Sequence, residues 1–266
     1  MIWIIIFAVI LFAVYAAAEN LYILRVRHEK LGNGIRIVHL SDLHKRRFGE
    51  DNKRLCKKVR EQSPDIIIFS GDLISRDETD LSCAEATLKQ LCEIAPVYMI
   101  YGNHEQSISE EMRPKMEEMF ANSDVIMLKN ESTETEINGR KIKIYGLLED
   151  YGVYKKNGGY RGLDSIYAQD LEKLMGQCPD GEVLLMAHNP FFGEAYAEWG
   201  AKYTFSGHVH GGVVRLFGIA MLSPERKLFP KNSKGVYTFG GMKLLVSAGL
   251  GKLRLFDPAE IVVYEI

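Results

Sequence analysis

Ile66-Ile67-Ile68-Phe69-Ser70-Gly71-Asp72 is the stretch on which the fold turns. Pro64-Asp65 introduces it and a glycine stops it, so the continuous apolar run predicts a buried strand, with an acidic residue at its carboxyl end. The pattern recurs on both sides. After the turn cluster Gly32-Asn33-Gly34, the run Ile35 to Leu40 ends at Asp42-Leu43-His44, and Val97 to Tyr101, opened by Pro96, ends at Gly102-Asn103-His104-Glu105. Helices are expected between these strands. Residues 51 to 62 carry Leu55, Cys56 and Val59 at helical spacing, and Thr79 to Ile94 carries Leu81, Ala84, Leu88 and Leu91 on one face. Strand, helix, strand in repetition is βαβ architecture, in which sites form outside the carboxyl ends of the strands.

The second half is less regular. Met112 to Phe120 reads as a helix and Val125 to Leu128 as a short strand, while Thr133 to Ile137 and Lys141 to Tyr145 form a hairpin turned at Asn138-Gly139. Asp164 to Met175 is expected to be helical, with Asp164 near its cap. Two more apolar strands, Val183 to Ala187 and Tyr203 to Ser206, deliver His188 and then Gly207-His208-Val209-His210-Gly211-Gly212. The segments Lys243 to Ser247 and Glu260 to Glu265 complete the reading as strands.

Bulk properties exclude some classes. With 33 basic and 35 acidic residues the formal charge is -2, so the chain as a whole carries no nucleic-acid footprint, and any phosphate recognition must be local. The cysteines at 56, 83, 92 and 178 show no C-x-x-C spacing and read as buried thiols. A chain of 266 residues has core enough to fold without disulfides, which favours a reducing compartment.

Asp42, His44, Asp72, Asn103, His188, His208 and His210 offer carboxylate, imidazole and amide groups, the types that suit divalent ions. Asp42 and His44 can address one ion together, and Asp72, with its two carboxylate oxygens, is the natural bridge to a second. The glycines around His208 and His210 free the backbone, so that each ring can turn to a different ion. Separately, each motif has a plain structural reading as a cap, a turn or a hydrogen-bonded histidine. Together, each at the end of an apolar strand, they read as a two-metal site.

The series D-x-H, G-D, G-N-H-[DE], H and G-H-x-H resembles that of calcineurin-like metallophosphoesterases and spans residues 35 to 212. The C-terminal tail, Gly249 to Ile266, resembles that of the membrane-associated bacterial branch. The resemblance implies a four-layered α/β/β/α sandwich around a dinuclear centre. It assigns Asp42, His44, Asp72 and His210 to the first metal and Asp72, Asn103, His188 and His208 to the second, with His104 beside them. Mixed nitrogen and oxygen ligation accommodates Mn, Fe or Zn. The expected chemistry is phosphoester hydrolysis by in-line attack of a metal-bound hydroxide, with His104 giving a proton or a hydrogen bond to the leaving oxygen. Glu105 is expected either to orient a ring or to serve as a helix-start carboxylate.

Three stretches depart from the family pattern. Lys45, Arg46, Arg47 and Phe48 follow His44, and the basic three either meet substrate phosphate or headgroups or form a solvated loop. The aromatic and basic loop Glu149 to Arg161 is expected to shape a pocket or touch a membrane surface. Val213 stands where many relatives carry a polar residue.

Met1 to Ala18 is uncharged and almost wholly apolar. As a helix it would be about 27 Å long at ~1.5 Å per residue, close to the ~30 Å hydrocarbon core. Ala16-Ala17-Ala18 would satisfy a signal-peptidase site, but no Lys or Arg precedes the run, whereas Arg25, Arg27 and Lys30 follow it. The expectation is a transmembrane anchor over residues 1 to 24 and a catalytic domain over 31 to 266, cytoplasmic by the positive-inside rule. The anchor favours a phosphodiester or pyrophosphate-type substrate, lipid-linked or a nucleotide-lipid. A phosphoprotein phosphatase is the alternative within enzymes, and a silent membrane-tethered binding module is the alternative outside them.

Overall fold

The computed structural model describes residues 1–154, 164–212, 214–222, 228–252 and 254–266. Helix α1 (Ile2–Tyr22) leads into strand β1 (Leu24–Lys30). Then follow β2 (Arg36–Leu40), α2 (Lys53–Arg60), β3 (Ile66–Phe69), α3 (Ser82–Cys92), β4 (Val97–Met99), α4 (Asn103–Gln106), α5 (Arg113–Ala121) and β5 (Ile126–Met127). The second half comprises β6 (Glu131–Ile137), β7 (Arg140–Gly146), α6 (Ala168–Met175), β8 (Val183–Met186), α7 (Gly193–Trp199) and β9 (Tyr203–Ser206). A small ribbon, β10 (Arg215–Leu216) with β11 (Ile219–Ala220), precedes β12 (Gly235–Phe239), β13 (Met242–Val246) and β14 (Ala259–Glu265).

Two six-stranded sheets face each other, in the orders β1-β14-β2-β3-β4-β5 and β12-β13-β9-β8-β7-β6. The strands from β2 to β5 pair in parallel, as do β7, β8, β9 and β13. Alternation along β3 shows how four layers arise from one apolar run. Ile66 and Ile68 point into the core between the sheets, where they meet Ile144, Leu184 and Phe205, while Ile67 and Phe69 point the other way onto Leu55, Leu88 and Met116 of the helices. On the far side of the second sheet, Val183, Leu185 and Leu244 pack on Leu171, Tyr196 and Trp199. The expected α/β/β/α sandwich is therefore present.

Strands β3 and β9 start and end where the sequence placed them, and the β6–β7 hairpin turns at Asn138 and Gly139 with φ of 53° and 77°. Two local readings change. Helix α6 begins at Ala168, not at Asp164, because Asp170 accepts the Tyr167 amide at 3.1 Å and so caps the first turn itself. The charged segment after α1 is not merely a flanking tail: Leu24–Lys30 is β1, paired in parallel with β14. The cysteines are free, Cys56 buried and the others half-buried.

Candidate metal centre

The carboxyl ends of β2, β3 and β4 in one sheet and of β8 and β9 in the other open on the same edge of the sandwich. Here the predicted residues are brought together. Asp42 and His44 follow β2, Asp72 follows β3, Asn103 opens α4 after β4, His188 follows β8, and His208 and His210 follow β9. Asp42, His44, Asp72, His208 and His210 all have left-handed backbone, with φ between 51° and 68°. That conformation costs a residue with a Cβ roughly 1–2 kcal/mol, and such strain concentrates at functional sites. The neighbouring glycines are set by close approach. A Cβ on Gly102 would stand 2.7 Å from the Asp72 amide nitrogen and run into its carboxylate.

Asp72 lies at the middle. Its Oδ2 is 3.3 Å from His188 Nε2 and 3.9 Å from His44 Nε2, and its Oδ1 accepts the His104 amide at 2.8 Å. On one side, Asp42 Oδ1 is 3.9 Å from His210 Nε2. On the other, Asn103 Oδ1 is 3.2 Å from His188 Nε2 and 3.0 Å from His208 Nδ1. The His104 ring centroid is 4.4 Å from that of His44.

Three sets of side chains here could each hold a metal ion: Asp42, His44 and His210; His44, Asp72 and His104; and Asp42, Asp72 and His188, with ligand atoms within 4.8 Å of one another in each set. The hydrogen bonding fits such an ion. His188 Nδ1 donates to the Ser70 carbonyl at 2.7 Å, which aims its Nε2 at Asp72 Oδ2 and Asn103 Oδ1, two oxygens that call for positive charge beside them. Electrostatics agree. Burial disfavours charge on Asp72, yet the His188 and His104 imidazoles hold its carboxyl well below the usual range. Burial likewise opposes charging His188, but Asp72 and Asp42 push it up to about 10. Two buried carboxylates thus stay ionised, a charge that a bound cation would neutralise. These donors match hard-to-borderline divalent ions.

Buried carboxylates support the ligands from below. Glu105 is fully buried and accepts the amides of Asp72 (2.9 Å), Gly102 (2.8 Å) and Ile74 (3.1 Å), so it is a carboxylate at a helix start, not a ring-orienting one. Burial and then Asp72 push its pKa up to about 8. Glu149, also buried, accepts the Asn189 amide (3.0 Å) and the hydroxyls of Tyr196 (3.0 Å) and Tyr154 (2.6 Å), and the Tyr154 ring stands edge-on to His208 at 5.1 Å. These members of the Glu149 to Arg161 loop therefore brace the centre from inside, while Lys155, Lys156, Tyr160 and Arg161, like Val213, lie outside the described residues.

Of the basic residues after His44, Lys45 pairs with Asp77 at 2.8 Å and Arg47 is exposed. Arg46 turns inward, neither solvated nor free for a phosphate. Its guanidinium donates to the carbonyls of Gly251 (2.8 Å), Ile23 (3.3 Å) and Glu19 (3.5 Å), the last two at the end of α1. Asn20 of α1 brackets the Arg254 backbone, accepting its amide at 2.9 Å and donating to its carbonyl at 2.6 Å, and the Arg254 side chain lies 3.5 Å from His210 Nδ1. The last turn of α1 is thus fastened to the rim of the centre.

A sandwich with this edge defines a metallophosphoesterase, and the chain belongs to the calcineurin-like phosphoesterase family, which matches residues 35–212. It is accordingly a metal-dependent phosphoester hydrolase. It is 26% identical to the phosphodiesterase YaeI of Escherichia coli, over 87% of this chain and 82% of that protein. It is also 26% identical to the UDP-2,3-diacylglucosamine pyrophosphatase LpxG of Chlamydia muridarum, over 87% of this chain and 83% of the relative. Among solved structures, the NAD nucleotidase of Haemophilus influenzae superposes with a TM-score of 0.50 at 14% identity, over 81% of this chain and 45% of that one, a likeness of fold alone.

Proposed function

We propose that this chain is a membrane-seated phosphodiesterase or pyrophosphate-type hydrolase whose substrate is lipid-linked. The carrying observation is the placement of the candidate centre beside the docked end of α1, an exposed apolar helix of 21 residues, of which 18 have a mean hydropathy of 2.4. At ~1.5 Å per residue it is about 32 Å long, enough to cross the ~30 Å hydrocarbon core. Arg25 and Lys30, exposed just beyond it, support a cytoplasmic catalytic domain. The pyrophosphatase activity named for one relative supports the substrate class.

Asp42, His44, Asp72 and His210 would hold one divalent ion, and Asp72, Asn103, His188 and His208 the other. Such a pair lowers the pKa of water and neutralises charge developing on the phosphoryl oxygens. Asp72 keeps the two ligand sets in register, and Glu105, by gathering the amides of Asp72 and Gly102, holds Asp72 and Asn103 at one spacing. His104 accepts the Arg76 amide at Nδ1 (3.1 Å), so its proton resides on Nε2. Burial lowers its pKa to about 4, which makes it a neutral hydrogen-bond donor to the leaving oxygen in place of an imidazolium.

The test is a substrate panel on the full chain in detergent and in vesicles with added Mn²⁺, comparing aryl phosphodiesters, nucleotide-lipid pyrophosphates and phosphopeptides. The reading requires Asp72-dependent hydrolysis that is greatest for vesicle-borne diesters or pyrophosphates. Preference for phosphopeptides, or equal rates on soluble and vesicle-borne esters, overturns the substrate assignment.

A further inference from the structure

We infer that the β10–β11 hairpin, together with Phe256, is a second membrane contact that lies in an anionic lipid surface beside α1 and seats the mouth of the centre at the headgroup layer. The inference rests on the membrane reading of α1 given above. Single exposed apolar side chains are ordinary, but here they are contiguous. The ribbon turns at Phe217-Gly218, both left-handed with φ of 51° and 81°, and its Leu216, Phe217 and Ile219 are exposed, Phe217 completely. A phenylalanine in strained backbone at the tip of a two-residue turn, where asparagine or glycine is usual, is fully exposed and packs against nothing among the described residues.

The occupant follows from where this surface sits. Phe256 stacks on Tyr15 of α1 with ring centroids 5.6 Å apart and lies 6.0 Å from the Phe12 ring. Tyr15 is seven residues before the end of α1, which is about 10 Å along the axis at ~1.5 Å per residue. A helix that crosses a bilayer therefore carries Phe256 into the lipid boundary with it, at the ~5–10 Å depth that interfacial apolar groups occupy. A groove of about 520 Å³ joins Phe256 to Leu216 and Phe217 and brings the hairpin to the same level. Arg25, Arg215 and Lys234 line that groove with the acid Asp257, which Lys234 pairs at 2.7 Å; Arg25 has no carboxylate partner among the described residues, so the polar side of the contact is net basic and suits anionic headgroups. The hairpin is also tied to the centre. Arg215 Nη1 donates to the carbonyl of Gly211, the residue after His210, at 2.9 Å, and β11 packs on Gly212.

Tryptophan fluorescence tests this in the full chain reconstituted in phosphatidylcholine–phosphatidylglycerol vesicles with brominated acyl chains. Phe217→Trp is made in a Trp3→Phe background, where Trp199, buried beneath the second sheet's helices, serves as the unquenched reference and the check on folding. The expected result is a blue shift and loss to bromine of most emission from the introduced hairpin indole, with little quenching by aqueous iodide. The parent, which retains Trp3 in α1, is measured alongside. If Trp3 is quenched by bromine while the hairpin indole is quenched only by iodide, the hairpin is not a lipid contact and the anchor stands. If the hairpin indole is shielded from both quenchers, protein covers the hairpin, a second copy or another partner, and the inference fails. If bromine reaches neither the hairpin indole nor Trp3, the membrane reading falls and takes the inference with it.

Discussion

The two sheets contribute differently to the centre. From the first come Asp42, Asp72 and Asn103, oxygen donors set at the ends of three neighbouring parallel strands, with the imidazoles of His44 and His104 beside them. From the second come His188, His208 and His210, nitrogen donors on the ends of β8 and β9. The oxygen side is braced by backbone amides gathered on Glu105, the nitrogen side by the hydroxyls and amide gathered on Glu149. Each half thus has its own buried carboxylate beneath the donors, and Asp72 and Asp42 both reach across to rings of the other half, Asp72 to His188 and Asp42 to His210. A site assembled this way is as good as the registration of its halves.

The largest effect is expected at the crossing point. Asp72→Asn should lower kcat on the order of 10³-fold and reduce the occupancy of both ions in metal analysis of the purified chain, whereas His188→Ala should empty one and spare the other. Equal loss of a single ion in both variants would remove Asp72 from the bridging role proposed for it. Next comes the brace beneath the oxygen side. Glu105→Gln keeps the volume but replaces one acceptor oxygen by a donor that faces the amides. A fall of about 10–100-fold in activity, of the size seen for outer-shell partners, is expected with the thermal midpoint little changed. An unfolded variant would mean that Glu105 holds the fold and not the spacing of Asp72 and Asn103.

Glycines of the two halves should also differ. Gly102→Ala drives a methyl group into Asp72, so metal content should fall along with stability, while Gly139→Ala, with open space around it but φ of 77°, should cost about 1–2 kcal/mol in urea unfolding and leave metal content alone. Parallel metal loss in both would contradict the steric account.

The smallest effect concerns what keeps the sheets in register. Arg27 of β1 donates to Glu260 of β14 at 3.1 Å and to the Val246 carbonyl of β13, also at 3.1 Å, and Glu260 also pairs with Lys234 at 2.8 Å. Burial opposes charge on Glu260, but Lys234 and Arg27 hold its carboxyl below the ordinary 4.5. A carboxylate depressed in the folded state adds stability that is complete above its unfolded pKa and is lost as pH falls through the folded value. Glu260→Gln should therefore lower the urea midpoint at neutral pH and flatten its decline below pH 4.5. An unchanged acid limb would show that this pair does not hold the edges together.

The difference between the halves also explains what the sequence made legible. Strands β3 and β4 are covered on both faces, so their apolar runs are unbroken and end sharply at Asp72 and Asn103, while β2, which carries Arg36 and the buried His39 among its apolar residues, ends at Asp42. Strand β8 shares that property, whereas in β9 the buried Thr204 and Ser206 alternate with Tyr203 and Phe205. Strand β1 was not legible, because Arg25 and Arg27 alternate with Leu24 and Val26, and with Lys30 they resemble the charges that flank a membrane span. Glu149, Tyr154, Arg46 and Arg254 act through contacts that join distant parts of the chain, and nothing in their local sequence distinguishes a brace from a surface residue. Helix α6 shows the converse, since an acidic residue at a plausible start was displaced by a better one six positions later.

The fastening of α1 changes what kind of attachment it is. Residues 16 to 20 of a flexible tether would let a domain roam over the bilayer, but here Asn20 and the Glu19 carboxylate are bonded to residues 254 and 256, and Arg46 closes over the helix end. With α1 in a membrane, the protein is a bracket and not a leash. The mouth of the centre then stands at one height and one tilt, so a phosphoester is sorted by how far it projects from the lipid before any side chain touches it.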